Sequence, residues 1–320
     1  MAIYQKTALI GTGLVGPQIG VVLAQGSGEM HVFDKNPEAV DQALADIRGY
    51  IDELARHHML LGGDADEVYS RVRPSDTLNS AVAGADLVLE AIFENVEAKR
   101  ELFKEIDELA DPETIVASNT SSIPIRHMAE VCRHRGRVVG SHFMLPAHIL
   151  PLVEVIKHPD VDESVIDRMR DGWEKMGKKP IVVNVDIPGF VANRLQHSIT
   201  RQAIELFASG VASAEDIDNA VRFGFGPRFG SLGPLAARDL GGVINHAKVA
   251  AYLYADLDAK GDVAVETLAS MAGQGHDGVK TLKGFFDWEG DPAELRDFHY
   301  GQMIAQTKRA LGIGSVRVKI

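Results

Sequence analysis

The sequence has few of the features that mark secreted, membrane-bound or nucleic-acid-binding proteins. It has one cysteine, Cys132, so no internal disulfide can form and no second thiol is available to bind zinc. No apolar run reaches the roughly 18 residues of a membrane span, and the chain enters a strand-like run within a few residues, without a secretory signal. Lysine and arginine form no cluster, and the net charge is −12. We therefore expect a cytoplasmic protein with no nucleic-acid partner, no membrane partner and no metal site.

The composition that remains is that of a globular protein, with 45% hydrophobic and 24% charged residues. A chain of 320 residues is long enough for two domains. Up to about residue 185, short apolar runs alternate with amphipathic stretches of helical period, which predicts a mostly parallel sheet with helices on both faces. The predicted strands are TALIG, MHVFD, ADLVLEAI, TIVAS, RVVGSHF, LVEVI and PIVVNV.

Helical periodicity replaces this alternation in the rest of the chain. FVANRLQHSITRQAIELFASG predicts a long helix ending at Gly210, and Ser213 is placed to cap the next one, with Asp216 at its third position. FGFGPRFGSLGP is expected to interrupt the helices, and AKVAAYLYADLDA and PAELRDFHYGQMIAQTKRAL are expected to be helical. The predicted fold class is α/β, with a sheet domain over 1–187 and an all-α domain over 188–320.

A glycine-rich turn follows the first predicted strand. Gly11, Gly13 and Gly16 have the spacing G-x-G-x-x-G, with Leu14 and Val15 inside the same turn. In a Rossmann-type dinucleotide site, such glycines allow a tight turn, close approach to a pyrophosphate and close packing of helix on strand. The bland alternative is a strand-to-helix turn without a ligand.

The second predicted strand ends in Asp34, 21 residues after Gly13. This is close to the spacing of about 20 expected for the acid that binds the adenosine ribose. A carboxylate accepts hydrogen bonds from the 2′-hydroxyl and repels the 2′-phosphate of NADP, so NAD is favoured, although Lys35 beside it weakens the argument. Flavin is the second choice because the same fold binds FAD.

His142 and Glu154 lie in two apolar runs joined by a loop that Pro146 and Pro151 keep from becoming helix. Histidine suits the removal of a hydroxyl proton near neutral pH, and a carboxylate can fix its tautomer. An ionised glutamate inside an apolar strand is costly unless it is paired. The alternatives are a satisfied core histidine and a glutamate that points to solvent.

Over nearly its whole length the sequence resembles the 3-hydroxyacyl-CoA dehydrogenase family. It is most similar to the shorter members that act on free acids, such as L-gulonate 3-dehydrogenase (lambda-crystallin) and pyridine-carboxylate dehydrogenase. The resemblance implies a Rossmann-type NAD-binding domain followed by a helical substrate domain that forms a homodimer. The matching segments are GTGLVGPQIG, ADLVLEAIFENVEAKRELFKEID, TIVASNTSSIPI, GSHF with PLVEVIKHP, DIPGFVANRL and HDGVKTLKGFFDWEG.

The resemblance also implies roles for individual residues. His142 looks like the general base and Glu154 like its orienting partner. Ser121 and Asn193 look like the residues that hold the substrate oxygen, because a hydroxyl and an amide can bond it without competing for the proton. Without the family, a helix-capping serine and a solvated asparagine are the simpler interpretations. The remaining matches are to cofactor-binding positions: Glu94, Lys99 and Asn119.

Two departures from the family pattern bear on the substrate. Leu145 stands where the family has an asparagine, which makes that part of the site more apolar. Tyr50 and His57 stand near positions where the acyl-CoA enzymes grip coenzyme A, in a helix rich in Asp and Glu that is a poor surface for its phosphates.

We therefore predict an NAD-dependent dehydrogenase that oxidises a secondary alcohol β to a carboxyl or acyl group, with a free hydroxy acid or aromatic alcohol as substrate. A true 3-hydroxyacyl-CoA dehydrogenase is the alternative within this class. A non-catalytic NAD-binding protein of the crystallin kind is the alternative outside it.

Overall fold

The computed structural model describes residues 2–56, 59–257, 269–284, 286–295 and 298. The chain divides into two compact units, 1–199 and 200–320. His57 and most of the segment PAELRDFHYGQMIAQTKRAL lie outside the described residues. The domain boundary at 187/188 stays a prediction.

One sheet of eight strands forms the centre of the first unit, counted over the described residues. Its order is β3-β2-β1-β4-β5-β6-β7-β8, and every neighbouring pair is parallel except β6 and β7, which are antiparallel. This confirms the predicted mostly parallel sheet. The strands are β1 Tyr4–Ile10, β2 Ser27–Phe33, β3 Val72–Pro74, β4 Leu87–Glu90, β5 Ile115–Ser118, β6 Val138–Phe143, β7 Leu152–Ile156 and β8 Lys179–Val183.

The sequence analysis did not predict β3. It is three residues long, contains Pro74, and pairs with β2 at the edge of the sheet, with Val72 opposite Met30. So short a strand has no measurable alternation of apolar and polar residues, and proline is tolerated there because an edge strand has one side unpaired.

Helices cover both faces of this sheet, as its continuous apolar strands require. Leu9 and Leu89 pack in the cluster that holds α1, α2 and α7, whereas Ile10 and Val88 pack in the cluster that holds α4, α5 and α6. The helical elements are α1 Gly16–Gly26, α2 Pro37–Arg56, α3 Ala65–Tyr69, α4 Leu78–Val82, α5 Val96–Leu109, α6 Arg126–Ala129, a 3-10 turn Arg135–Arg137 and α7 Glu163–Lys175.

The chain is helical after β8, as predicted. Ser213 caps α9 by accepting a hydrogen bond from the Asp216 amide, which confirms the predicted N-cap. The elements are α8 Ala192–Ala208, α9 Ala214–Asn219, a π-helical turn Ala220–Phe225, α10 Gly226–Leu232, α11 Pro234–Gly241, α12 Val243–Leu253 and a 3-10 turn Val279–Thr281.

The prediction that FGFGPRFGSLGP interrupts the helices was wrong over most of its length. Residues 223–232 are helical, and the chain leaves the helical region of backbone angles at Gly233, where φ is 73°. Pro227 lies in the first turn of α10, where the missing proline N–H costs nothing because first-turn amides have no partner within the helix.

Candidate active site

The antiparallel pairing of β6 and β7 places His142 directly opposite Glu154. Directly opposed residues project from the same face of the sheet, with Cβ atoms about 5 Å apart. Nδ1 of His142 donates a hydrogen bond to Oε2 of Glu154 at 2.7 Å. His142 is 5% exposed and Glu154 is 0% exposed, so the hydrogen bond between them offsets the free-energy cost of removing both groups from water.

The second carboxylate oxygen of Glu154 faces the start of α8. The backbone amides of Val191 and Ala192 each donate to Oε1 at 2.9 Å. These amides belong to the N-terminus of the helix, where backbone N–H groups are unpaired and the helix dipole favours negative charge.

Phe190 forms the turn that delivers these two amides. Its φ is 44° and that of Gly189 is 74°, so two consecutive residues are left-handed. This conformation is unfavourable for phenylalanine, and such strain is found mainly where the surroundings require it. The Phe190 ring is fully buried, with its centroid 5.6 Å from that of His142.

The hydrogen bonds decide the charge of Glu154. Burial alone raises the pKa of its carboxyl, but the bonds from His142, Ala192 and Val191 outweigh burial, so the pKa lies below its usual value. The carboxylate is therefore ionised in the neutral range and holds the proton on Nδ1 of His142. Nε2 is then the ring nitrogen that can accept a proton from a substrate.

Glu94 holds the turn after β5 that carries Ser121. Its Oε1 accepts hydrogen bonds from the Thr120 hydroxyl at 2.6 Å and from the Ser121 and Ser122 amides at 3.1 Å. Burial raises the pKa of Glu94, but these bonds and the nearby Lys99 lower it below its usual value overall. Glu94 and Ser121 are thus brought together.

Lys99 is buried in a network of two glutamates, and its role at the cofactor stays a prediction. Its side chain is 1% exposed, and its ammonium lies 2.5 Å from Oε1 of Glu90 and 3.5 Å from Oε2 of Glu94. Glu90 is fully buried and also accepts from the Ser118 hydroxyl at 2.6 Å. Burial raises the pKa of Glu90. The ammonium also donates to the carbonyl of Ile92 at 3.4 Å, and Ile92 lines the cofactor cavity. These contacts are those of a residue that positions the loop after β4.

Asn119 connects the ends of three neighbouring strands. The backbone N–H of Asn119 donates to the backbone carbonyl of Glu90 at 2.8 Å, and its side-chain oxygen accepts from the backbone N–H of Phe143 at 2.9 Å. It is therefore bonded to the residue that follows His142. Asn193 is half-buried in the first turn of α8, next to Ala192.

Five predicted cofactor residues line a cavity of about 500 Å³ at the carboxyl ends of β1, β2 and β4. They are Gly11, Gly13, Leu14, Val15 and Asp34. The described lining of this cavity does not include Gly16, Glu94, Lys99 or Asn119. The carboxyl ends of the strands are where open α/β sheets bind ligands.

The glycine turn fits a dinucleotide. Gly11 has a φ of 102°, and a Cβ there would lie 2.7 Å from the backbone of Ala91. A Cβ on Gly13 would meet nothing within 4 Å, so its backbone faces open space. The N-cap residue of α1, Val15, makes no side-chain capping bond, which leaves first-turn amides available for an anion such as pyrophosphate.

Asp34 is fixed in place at the end of β2. Its Oδ2 accepts from the amide and hydroxyl of Thr12, both at 2.9 Å, and Oδ1 accepts from the Asn36 amide at 3.0 Å. A carboxylate retains free lone pairs after accepting three bonds, so Asp34 can still accept from a ribose hydroxyl.

Sequence reasoning missed Glu90, Phe190 and the two amides that bind Glu154. For Glu90 a signal was present in the apolar run LVLEAI, because a glutamate inside an apolar strand is costly unless it is paired, as it is for Glu154. For the others no signal was available, since backbone amides and a left-handed phenylalanine leave no mark in residue type. Among the described residues, no group of three or more His, Cys, Asp or Glu is arranged to bind a metal ion.

Both parts of the chain match models of one protein family. Residues 6–187 match the 3-hydroxyacyl-CoA dehydrogenase NAD binding domain, and residues 189–288 match the 3-hydroxyacyl-CoA dehydrogenase C-terminal domain. The matched segments meet near residue 188.

Individual relatives span nearly the whole chain. The chain is 32% identical over 310 residues to 5-formyl-3-hydroxy-2-methylpyridine 4-carboxylate 5-dehydrogenase of Mesorhizobium japonicum, covering 96% of this chain and 98% of that one. It is 35% identical over 286 residues to a probable 3-hydroxybutyryl-CoA dehydrogenase of Bacillus subtilis, covering 89% and 98%. The chain is also similar to the crystal structure of a 5-formyl-3-hydroxy-2-methylpyridine 4-carboxylic acid 5-dehydrogenase, which is described as an NAD+ dependent dismutase. The sequence identity is 31% and the TM-score is 0.73, and the match covers 98% of this chain and 99% of that one.

Proposed function

The chain belongs to the 3-hydroxyacyl-CoA dehydrogenase family and is an NAD-dependent oxidoreductase, and from that premise we propose that it oxidises a secondary alcohol β to a carboxyl group, reversibly. We propose a free hydroxy acid or aromatic alcohol as the substrate. The observation that carries the proposed chemistry is the hydrogen bond between His142 and Glu154.

The glycine turn and Asp34 would hold NAD, with the turn amides toward the pyrophosphate and Asp34 toward the adenosine ribose. Glu94 and Asn119 would face its nicotinamide half, and Lys99 would act through Glu94. Bound NAD supplies the hydride acceptor.

His142 would act as the general base in this reaction. Its Nε2 takes the proton of the substrate hydroxyl, and the ionised Glu154 stabilises the resulting imidazolium. Ser121 and Asn193 would hydrogen-bond the substrate oxygen and keep it near Nε2. In the reverse direction the imidazolium returns the proton to the carbonyl oxygen.

The preference for a small substrate rests on charge and polarity. Helix α2 carries five acidic residues and two arginines, so it repels the phosphates of coenzyme A. Leu145 is 47% exposed close to His142 along the chain, which favours an apolar or aromatic part of the substrate there. The second candidate, a 3-hydroxybutyryl-CoA dehydrogenase, is supported by the Bacillus subtilis relative. A non-catalytic protein of the crystallin kind is disfavoured by the buried His142–Glu154 pair, whose burial is costly without a use.

A substrate panel tests the proposed function. NADH formation would be followed with free hydroxy acids such as L-gulonate, with aromatic alcohols and with 3-hydroxybutyryl-CoA. We expect kcat/KM for the best free substrate to exceed that for the thioester by at least about tenfold, a difference of about 1.4 kcal/mol. Faster turnover of the thioester would favour the second candidate, and no turnover of any compound would favour the non-catalytic one.

The role of Asp34 gives a separate prediction. Asp34→Asn should weaken NAD binding by about 10- to 100-fold, because a hydrogen bond to a charged group contributes about 1.5–3 kcal/mol. The Kd measured by calorimetry checks this, with Asp41→Asn as the control, since Asp41 is exposed on α2 and outside the cavity lining. Equal NAD affinity in both variants would show that Asp34 does not bind the cofactor.

We propose a cytoplasmic homodimer. Helix α8 exposes the large apolar side chains Leu195, Ile199, Ile204 and Phe207, which is more than single surface residues account for. No helix in the described part of the chain is long and apolar enough to cross a bilayer. A molar mass of one chain in light scattering would contradict the dimer.

A further inference from the structure

The loop from Met144 to Pro151 joins the strand of His142 to the strand of Glu154, and two buried groups hold its centre. The Ala147 amide donates to Oε1 of Gln18 at 2.7 Å, and Gln18 lies on α1 next to the glycine turn. The buried ammonium of Lys178 donates to the carbonyls of Ala147 at 2.6 Å and Leu150 at 3.0 Å. These contacts anchor the loop to the cofactor side and to β8.

A third anchor connects the loop to helix α2. The His148 side chain is 4% exposed, and its Nε2 donates to Oε2 of Glu53 at 3.1 Å. The ring stacks on Tyr50, with centroids 4.4 Å apart and planes at 30°. Among the described contacts of the loop, those of His148 are the ones that reach α2.

Burying His148 in this place has a cost. Its Nδ1 is buried and has no hydrogen-bond partner. A buried polar atom without a partner costs about 1–3 kcal/mol, so an apolar residue would fill the space at lower cost. The bond to Glu53 and the stacking on Tyr50 are what a histidine adds over an apolar side chain.

The loop carries Leu145, which is 47% exposed and three residues after His142. Three residues span at most about 11 Å, so the backbone of Leu145 lies within that distance of the backbone of His142. His148 is also three residues from Leu145, on the other side of Pro146 and Ala147.

We propose that His148 is a specificity-determining positioning residue: by bonding Glu53 and stacking on Tyr50 it holds Leu145 where it contacts the part of the substrate beyond the reacting carbon. This rests on the proposed function. His148 takes no part in proton transfer, since Glu154 and the amides of α8 hold His142 independently of α2.

Kinetics of two loop variants test the proposal, using the free substrate with the highest kcat/KM in the panel. His148→Ala should raise KM for that substrate by about tenfold, with kcat and KM for NAD within about twofold, because the interaction lost is made equally in the ground and transition states. His148→Gln should restore KM to within about threefold, since its amide nitrogen can donate to Glu53. His134→Ala is the matched control, because His134 is an exposed histidine paired with Asp107 at 3.4 Å.

Glu53→Ala removes the acceptor of the His148 hydrogen bond and keeps the test valid if His148→Ala does not fold, because Glu53 is a partly exposed residue of α2. It should raise the substrate KM in the same sense, and the double variant should show less than the sum of the two effects. A lower melting temperature with unchanged substrate KM in the variants would mean that His148 is structural and would overturn the proposal. So would a parallel rise of both KM values. If the wild-type protein turns over no panel compound, the proposed function itself fails, an outcome that is visible before any variant is made.

Discussion

Replacing His142 by glutamine should lower kcat by about 10³- to 10⁴-fold, near the upper end of what general base catalysis contributes. Glutamine preserves the size and polarity of the side chain but cannot take up the hydroxyl proton. NAD binding should stay within about twofold, because His142 is not among the residues that line the described cavity. Initial rates of NADH formation and calorimetric Kd values measure the two quantities.

The matched control for this variant is His134→Gln, at an exposed histidine whose nearest acid is Asp107. It should leave both kcat and Kd unchanged. If His142→Gln turned over at the wild-type rate, His142 would not be the general base. Loss of NAD binding together with turnover would show that the variant disrupts the domain and does not report on proton transfer.

Replacing Lys99 by methionine should lower the free energy of unfolding by about 3–5 kcal/mol, the usual cost of removing one partner of a buried ion pair. Glu90 would remain fully buried without its cation, and the loop carrying Glu94 would lose its tie to α5. Urea denaturation of the NAD-free protein measures the change. Lys104→Met is the matched control, since Lys104 is exposed on the same helix and should change stability by less than about 0.5 kcal/mol.

The pH dependence of this deficit has a definite sign. Burial already raises the pKa of Glu90, and loss of Lys99 raises it further. An acid with a raised pKa in the folded state binds more protons folded than unfolded, so stability falls as pH rises above the unfolded pKa. The deficit of Lys99→Met should therefore be larger at about pH 8 than at about pH 5. If the loss of unfolding free energy in Lys99→Met were independent of pH, the ionisation of Glu90 would not be its cause.

The parts of the fold and site that were predictable are those that residue type alone encodes. The glycine spacing and Asp34 predicted five residues that line one cavity, because a close approach of backbone can be met only by residues without a side chain. The cost of a glutamate in an apolar strand predicted its pairing with His142. Their catalytic roles remain predictions.

Other features depend on interactions that residue type does not reveal. Family motifs gave the position of Lys99 but not its partners, and the sequence analysis did not predict its ion pair with Glu90. The charge of Glu154 is determined by the backbone amides of Val191 and Ala192, which any pair of residues could supply. The anchors of the 144–151 loop come from residues 18, 53 and 178, which are far apart in the chain.

The amides that bind Glu154 have a consequence for the autonomy of the first domain. The NAD-binding family match ends at residue 187, but both donors to Oε1 lie beyond it. A fragment cut at that junction would keep both strands and both side chains and still lack two of the three hydrogen-bond donors to the Glu154 carboxylate. On the ribosome, likewise, the acid–base pair stays unfinished until residues 191 and 192 have emerged.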